Sequence, residues 1–365
     1  MIDACDTCLR RSFLIAHLAP RIAGLLAERR ERRVGGLLSL PEDELLAAAA
    51  GRRVRRALAY LDSFDADARR DELAGPRSIA VCMHSVAYPQ PLLQLDDPPT
   101  VLFGAGRVGA LEALREEPAV AVVGSRRASP YGTEVAYALG RGLGGSGVPV
   151  VSGLALGIDA TAHHGCLDGG GLPLAVLACG PDVPYPRRHR SLHARVRDAG
   201  IVLAELPPGT EPFLWSFPAR NRIMAGLARM TVVVEASQPS GSLITSDFAR
   251  DLGRSVAAVP GRVTSSLSRG TNELLRDGAV PVTGTEDVLD ELFGVAVRRP
   301  PSAPLLPDDP LLRAVVEAAE ATSSVEAIAS AAGATTAEVR AALGRLELDG
   351  HLVRRAFGGW ERTAR

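Results

Sequence analysis

Short apolar runs alternate with helical stretches over residues 120–276, and this alternation restricts the fold more than any other feature. The runs are VAVVG, VPVVSG, PLAVLACG, GIVLAE, MTVVVEA and SVAAVPG. Small and β-branched residues in such runs are typical of strands that are covered on both faces. Strands separated by helices pair in parallel. The sequence therefore predicts an α/β fold whose main part is a Rossmann-like domain with a parallel sheet.

Glycines and small polar residues follow most of these apolar runs. They are Gly124 and Ser125, Ser152, Gly153 and Gly157, Gly180 and Asp182, Ser240, Gly241 and Ser242, and Gly261. The carboxyl ends of parallel strands lie at one edge of a sheet, where ligands bind. Backbone N–H groups and hydroxyls at such an edge bind anions. We therefore expect a continuous anion-binding rim.

Arginine supplies all 41 basic side chains, because the chain contains no lysine. The absence of lysine excludes Schiff-base chemistry, a Walker-type phosphate site and a kinase site. The net charge of -1 gives no global attraction to polyanions, so a nucleic-acid surface has to be a local patch. Arg126 and Arg127 follow the first apolar run, and eight arginines outnumber three acids between residues 187 and 229.

The segment GAGRVG, residues 104–109, is a literal G-x-G-x-x-G and offers a dinucleotide site as an alternative. The next strand ends in Ser125, Arg126 and Arg127, which would suit the phosphate of NADP. Pro118 leaves only about two helical turns before that strand, which is short for a crossover that spans a sheet. We expect no cofactor, and an NADP-dependent reductase stays an alternative.

The five cysteines are scattered, and no signal peptide or long apolar span is found, so we expect a reduced, cytoplasmic protein without membrane contact. Cys5 and Cys8 form a C-x-x-C. No second cysteine pair or histidine cluster at zinc spacing completes a site in the sequence. We therefore expect no metal.

The remaining segments predict accessory domains around a core at residues 76–297. Residues 1–75 have helical spacing and predict a small helical domain. Residues 298–310, RRPPSAPLLPDDP, have the composition of a linker. Residues 311–365 predict three helices and a two-stranded wing, hence a winged helix. The third of these helices carries mixed charge, so DNA contact and protein contact both stay open for it.

Six runs, in this order, resemble the DNA-processing protein family DprA, also called Smf. They are VAVVGSRRASPYG, VVSGLALGIDATAH, AVLACGPDVPYPRRHRSL, FPARNRIMAGLA, VVVEASQPSGSLIT and VPGRVTSSLSRGTNELLRDGA. The resemblance covers most of residues 76–290, and the N-terminal segment is similar to the family's SAM or helix-hairpin-helix-like domain. It implies a protein that binds single-stranded DNA, protects incoming DNA and helps to load the RecA recombinase in natural transformation. It also implies a homodimer through the Rossmann-like domain, and no enzymatic activity.

The resemblance further implies the residues that contact DNA. Arg126 matches the family's DNA-contacting arginine, and the basic contact after the YP pair falls on Arg187, with Arg188 beside it. Residues 220–222 match the RNR motif, in which Asn221 orders a neighbouring loop. The DNA-binding candidates are Gly124, Ser125, Arg126, Arg127, Gly153, Gly157, Arg187, Arg188, Arg220, Asn221, Arg222, Ser240, Gly241, Ser242, Thr245 and Gly261.

A nucleotide hydrolase, such as a phosphoribohydrolase, is the rival function for the same rim. Glu205 or Glu235, each near a strand end, would be its catalytic acid. Such an enzyme needs a paired base or a positioned water, and no motif supplies one. For Asp159 and His163 of the GID-AH motif, we expect helix capping and internal hydrogen bonding rather than DNA contact.

Overall fold

The computed structural model describes residues 1–29, 36–51, 54–295, 309–322, 324–348, 351–354 and 360–362. The chain divides into two compact units, one made of residues 1–144 and 148–297, and one that contains residues 298–365. The predicted linker, residues 298–310, lies outside the described residues except for its last two. Within the described ranges, no helix combines the length and apolarity needed to cross a membrane.

Ten strands among the described residues form one sheet. They are β1 (Ile2–Asp3), β2 (Ser78–Cys82), β3 (Val101–Gly106), β4 (Ala119–Val123), β5 (Val150–Ser152), β6 (Pro173–Leu177), β7 (Ile201–Ala204), β8 (Ala228–Val233), β9 (Ser255–Ala258) and β10 (Val280–Pro281). Their spatial order is β1-β2-β3-β7-β6-β5-β4-β8-β9-β10. The strands from β7 to β10 in this order all run parallel, which confirms the predicted parallel sheet.

Helices cover both faces of the sheet, as the burial of β4 shows. Ala119, Ala121 and Val123 belong to one apolar core, whereas Val120 and Val122 belong to another. Successive side chains of a strand point to opposite faces, so both faces of β4 are buried. The helices from the N-terminus through this region are α1 (Asp6–Arg29), α2 (Glu42–Ala49), α3 (Val54–Asp62), α4 (Ala66–Leu73), α5 (Gly109–Glu116), α6 (Pro130–Gly145), α7 (Ile158–Asp168), α8 (Arg190–Ala199), α9 (Ser216–Leu227), α10 (Gly241–Asp251), α11 (Arg269–Arg276) and α12 (Thr285–Phe293).

Strand β3 contains the first glycines of the GAGRVG segment and runs antiparallel to both of its neighbours, β2 and β7. A Cβ atom at Gly106 would lie 2.5 Å from the carbonyl oxygen of Gly200, so this glycine permits close packing beside β7. A dinucleotide fingerprint needs a strand that enters a parallel βαβ unit. The geometry of β3 therefore opposes the reductase alternative.

The N-terminal helices pack against the sheet domain and belong to the same compact unit. Leu18 and Ile22 of α1 share an apolar core with Trp215, and the Trp215 indole donates a hydrogen bond to the carbonyl oxygen of Ala19 at 3.2 Å. In addition, β1 pairs in parallel with β2. The predicted helical segment 1–75 is thus attached to the core at two places.

The second unit has its own apolar core, which includes Val315, Ile328 and Leu346. Its elements are α13 (Pro310–Ala321), α14 (Val325–Ala332), α15 (Thr336–Leu348), β11 (Leu352–Arg354) and β12 (Trp360–Arg362). Strands β11 and β12 pair antiparallel. Three helices followed by such a pair follow the order predicted for a winged helix. That assignment stays a prediction, and residues 355–359 lie outside the described residues.

The strand order reverses between β4 and β8. From β4 the chain builds β5, β6 and β7 on one side, and it then returns to place β8 on the other side of β4. In open parallel sheets, ligands bind outside the carboxyl ends of the strands where the order reverses. The loops after β4 and β8 are therefore the expected place for a ligand.

Candidate nucleic-acid interface

A cavity of about 540 Å³ lies where β4 and β8 end. Its walls come from residues 123–127 after β4, from the loop of residues 237–242 after β8, and from α9 and α10. A second cavity of about 60 Å³ shares Arg126, Ala155, Phe217 and Arg220 with the first. We call these two cavities together the carboxyl-edge groove. The groove occupies the position that the strand order predicts.

Most of the residues predicted to bind DNA line the carboxyl-edge groove. They are Gly124, Ser125, Arg126, Arg127, Gly153, Arg220, Asn221, Ser240, Gly241, Ser242 and Thr245. These residues are far apart in the sequence. They meet because the carboxyl ends of parallel strands share one edge of the sheet.

Arg126 is exposed and lies over an aromatic ring. Its guanidinium carbon is 4.9 Å from the ring centre of Phe217, and the ring centre of Tyr185 is 5.5 Å from that of Phe217. Tyr185 is 41% exposed. An arginine beside accessible rings can pair with a phosphate while a base stacks on the rings. The sequence analysis missed Tyr185 and Phe217, although each lies close to a basic motif.

Arg220 supplies a buried positive charge beneath the groove. Its Nη1 donates a hydrogen bond to the carbonyl oxygen of Val176 at 2.8 Å. A Cβ atom at Gly153 would lie 1.4 Å from the same Nη1, so a glycine is needed there. Burial lowers the pKa of Arg220 and raises that of Asp159, and the attraction between their charges opposes both shifts. Asp159 also accepts a hydrogen bond from the Gly153 N–H at 3.1 Å, which makes it an internal group.

The N-terminus of α10 lines the groove as well. Ser240 caps this helix, since its hydroxyl accepts a hydrogen bond from the Ser242 N–H at 3.3 Å. The Asn221 amide donates to the carbonyl oxygen of Gly241 at 3.1 Å and so orders this loop. The helix adds the positive end of its dipole to the groove.

Arg187 and Arg188 lie in a short 3₁₀ turn, Arg187–His189, beside the groove. Both are exposed, and Arg187 directly follows Pro186, which lines the smaller cavity. The His189 ring nitrogen Nδ1 lies 2.9 Å from the carbonyl oxygen of Leu154, which connects this turn to the loop after β5. The two arginines therefore extend the positive charge along the same edge.

Two predicted glycines act through the backbone outside the groove. Gly157 precedes α7 with φ of 73°, and a Cβ atom there would lie 2.3 Å from the carbonyl oxygen of Ser125. It therefore supports the loop that carries Arg126. Gly261 lines a separate cavity, and its N–H and carbonyl bond the Asn272 side chain at 3.2 and 3.0 Å. The structure does not bring Gly261 to the groove.

The structure also keeps Arg222 away from the groove. Its side chain is 1% exposed, and it contacts Glu205 at 2.7 and 3.0 Å and Asp97 at 2.8 Å. Burial alone would lower the pKa of Arg222, but the two carboxylates raise it above its ordinary value. Arg220 and Arg222 are two positions apart on α9, so they point in nearly opposite directions. For this reason one arginine of the RNR motif reaches the groove and the other does not.

The two carboxylates considered as catalytic acids have internal partners. Glu205 binds Arg222, and Glu235 accepts hydrogen bonds from the N–H of Ser129 at 2.9 Å and from its hydroxyl at 2.5 Å. His163 is fully buried, and desolvation lowers its pKa to about 3, so its ring is neutral at physiological pH. Glu205 and Glu235 therefore support the fold around the groove. The internal hydrogen bonding expected for His163 is not found, because neither of its buried ring nitrogens has a hydrogen-bond partner among the described residues.

Comparison with known proteins places this architecture in a family. The family model described as DNA recombination-mediator protein A matches residues 79–293. The putative DNA processing protein DprA of Mycobacterium tuberculosis is 44% identical over 240 residues, which are 64% of this chain and 61% of that protein. The chain thus spans less than two thirds of the length of this relative.

Two solved structures are similar to more than half of this chain. DprA of Streptococcus pneumoniae has a TM-score of 0.62 and 33% identity, and the match covers 78% of this chain and 96% of that one. DNA processing protein A of Helicobacter pylori, described for its single-stranded DNA binding mode, has a TM-score of 0.52 and 28% identity, with coverage of 58% and 95%. The sequence resemblance is thereby confirmed: this chain belongs to the DNA recombination-mediator protein A family, whose members include proteins named DprA.

Proposed function

We propose that this chain binds single-stranded DNA in the carboxyl-edge groove and acts as a recombination mediator that protects incoming DNA and helps to load RecA in natural transformation. One observation carries the proposal. The groove combines arginines with accessible aromatic rings at the point where the strand order reverses. Membership of the family and the similarity to the Helicobacter pylori protein, described for its single-stranded DNA binding mode, support it.

The charge of the groove favours a phosphate chain. Arg126, Arg127 and Arg220 line it, and Asp159 is the single acid among the described residues that line either cavity. Asp159 is buried close to Arg220, so its charge is compensated within the protein. The exposed arginines therefore remain for a polyanion.

The aromatic rings favour a single strand over a duplex. Tyr185 and Phe217 offer faces on which bases can stack, and any base has such a face, so stacking tolerates every sequence. In a duplex the bases are already stacked on each other and paired inside the helix. We therefore expect single strands to bind more tightly than blunt duplexes.

The proposed function is DNA binding and not hydrolysis of nucleotides. A catalytic acid has to reach the proton that it transfers. Glu205 and Glu235 are instead held by Arg222 and Ser129, and neither carboxylate is needed to explain the positive groove.

The proposal includes a homodimer formed through the Rossmann-like domain, a cytoplasmic location and RecA as the protein partner. The homodimer and RecA rest on the family resemblance, and the cytoplasmic location rests on the cysteine pattern, since the cysteines are free thiols. We assign residues 1–75 as the helical accessory domain, residues 76–297 as the core and residues 311–365 as a winged helix.

Fluorescence anisotropy with labelled oligo-dT and with a blunt duplex, over a range of salt concentrations, tests the proposal. We expect strong salt dependence, and Arg126→Glu and Arg187→Glu should each weaken oligo-dT binding because a phosphate contact is replaced by repulsion. Each lost contact should reduce the slope of log K against log salt by about 0.7. Arg276→Glu is the control, because it makes the same change in charge at the opposite edge of the sheet. Arg276 ends α11 and lies just before β10 begins.

Equal weakening by all three substitutions would contradict a binding site in the groove. Hydrolysis of AMP-like nucleotides with unaltered DNA affinity in the groove variants would favour the hydrolase. The mediator step is tested by measuring how fast RecA forms filaments on the same oligonucleotide. This chain should speed up filament formation, and the Arg126→Glu variant should not.

A further inference from the structure

Four metal-binding side chains meet beside the N-terminus of the chain. They are Cys5, Cys8, Cys82 and His84, and their ligand atoms all lie within 4.8 Å of one another. His84 Nδ1 lies 3.3 Å from the sulfur of Cys8 and 3.6 Å from that of Cys5. The sequence offers no neighbouring pair for the C-x-x-C, but the structure brings a C-x-H pair, Cys82 and His84, beside it from a distant part of the sequence.

The pairing of β1 with β2 brings the two halves of the cluster together. Asp3 pairs with Val81, the residue before Cys82. Cys5, two residues after Asp3, therefore lies close to Cys82 at the end of β2. Cys5 lies just before α1 and Cys8 lies in its first turn, where the Leu9 N–H donates to the carbonyl oxygen of Cys5 at 3.0 Å. The three cysteines therefore sit at the ends of regular elements.

A tight turn presents the histidine. The Ser85 N–H donates to the carbonyl oxygen of Cys82 at 2.8 Å, which closes the turn that contains His84. The Ser85 hydroxyl also donates to Asp3 at 2.5 Å and fastens this turn to β1. The fold thus holds the C-x-H pair in place through contacts that do not involve a metal.

We propose that Cys5, Cys8, Cys82 and His84 bind one Zn²⁺ ion in a structural site. Zinc binds thiolate sulfur at about 2.3 Å and imidazole nitrogen at about 2.0–2.1 Å in tetrahedral geometry, so a sulfur and a nitrogen ligand lie about 3.6 Å apart. The two distances between His84 and the cysteines correspond to this separation. Thiolate ligands select zinc over magnesium, calcium and manganese.

Four protein ligands complete the tetrahedron, which makes the site structural rather than catalytic. Cys8 and Cys82 are buried, whereas Cys5 and His84 are exposed, so the ion has a route of entry from solvent. None of the four lines the carboxyl-edge groove. The proposed zinc ligands are therefore separate from the residues that are proposed to contact DNA.

The metal would fasten the N-terminus to the sheet. Strand β1 has two residues, and Cys8 and His84 are 76 positions apart in sequence. A cross-link between distant positions removes conformational freedom from the unfolded chain, and metal binding adds its free energy to folding. We expect the zinc to stabilise the attachment of β1 and α1.

Measuring the metal content of the full chain, purified under reducing conditions after growth with zinc, tests this proposal. Mass spectrometry of the metal should find about one zinc per chain. Cys82→Ser should lose it, and Cys179→Ser, which removes a buried cysteine outside the cluster, should keep it. His84→Cys supplies a fourth thiolate and should also keep zinc, whereas His84→Ala should not.

Cobalt gives a second readout. Chain loaded with Co²⁺ should show charge-transfer absorption from thiolate to metal and the visible bands of tetrahedral cobalt, and chelation should lower Tm. A wild-type chain that takes up neither zinc nor cobalt would overturn the proposal. So would iron in place of zinc, or a disulfide between Cys5 and Cys8 in the freshly purified protein. If Cys82→Ser does not fold, the comparison of His84→Cys with His84→Ala still decides the question.

Discussion

Replacing Arg222 by methionine tests whether this residue stabilises the interior or contacts DNA. The guanidinium makes charge-assisted contacts with Glu205 at 2.7 and 3.0 Å and with Asp97 at 2.8 Å, and it is 1% exposed. Methionine has a similar reach but no charge, so the substitution leaves two carboxylates facing an apolar side chain. The fold should lose stability, and the groove should keep its shape.

The size of the effect follows from the burial of the three groups. Removing one partner of a buried ion pair costs about 3–5 kcal/mol, because the other charge is left without compensation. The side chains of Asp97 and Glu205 are 18% and 12% exposed, so water reaches them in part and the lower end of this range applies. A loss of about 3 kcal/mol should lower Tm by about 6–12 °C.

Urea denaturation and thermal melting measure the loss, and the double variant Arg222→Met with Glu205→Gln should recover part of it, since one orphaned charge is removed. Oligo-dT affinity, measured well below Tm, should stay within about twofold of the wild type. An unchanged unfolding midpoint together with a Kd raised about tenfold, which is about 1.4 kcal/mol, would refute the structural role and return Arg222 to the DNA-binding residues.

Two further predictions concern an aromatic ring and a buried histidine. Phe217→Leu keeps an apolar side chain but removes the ring beside Arg126, and it should weaken oligo-dT binding by about 1–3 kcal/mol in an anisotropy titration. Phe64→Leu, which removes a ring that packs against Phe13 outside the groove, is the control and should leave the affinity unchanged. The unfolded chain binds a proton on His163 below about pH 6.5, whereas the folded chain binds it only near pH 3. The free energy of unfolding should therefore fall by up to about 5 kcal/mol as the pH drops through this interval. Urea denaturation at stepped pH should show a smaller decline for His163→Asn, and an identical decline would contradict the assignment.

The parallel sheet and the ligand edge could be predicted because they depend on local patterns. Runs such as AVAVV determine strands that are buried on both faces, and the glycines that follow them determine the loops at one edge. The sequence does not determine side-chain direction with the same certainty. Arg220 and Arg222 belong to one motif, and the helical rotation between them sends one to the groove and the other to Glu205.

Contacts between distant segments were beyond the reach of sequence patterns. Cys5 and Cys8 lie in a typical ligand spacing, yet Cys82 and His84 approach them through the pairing of β1 with β2, and a strand of two residues gives no periodic signal. Edge pairing of this kind depends on tertiary packing. The spacing of Cys82 and His84, a C-x-H pair, is a sequence signal for a second half of a metal site, but nothing in the sequence links it to Cys5 and Cys8.

The start of α9 shows how the N-terminal segment affects the geometry of the carboxyl-edge groove, although it contributes no residue to the groove lining. Trp215 precedes the helix, and its indole is bonded to the carbonyl oxygen of Ala19 in α1. Ser216 donates a hydrogen bond to the carbonyl oxygen of Ala178, directly after β6. Phe217 comes next in the chain, so the ring that supports Arg126 is positioned between the N-terminal helices and the sheet. The described part of the helical segment therefore supports the first turn of α9 through the bond between Trp215 and Ala19.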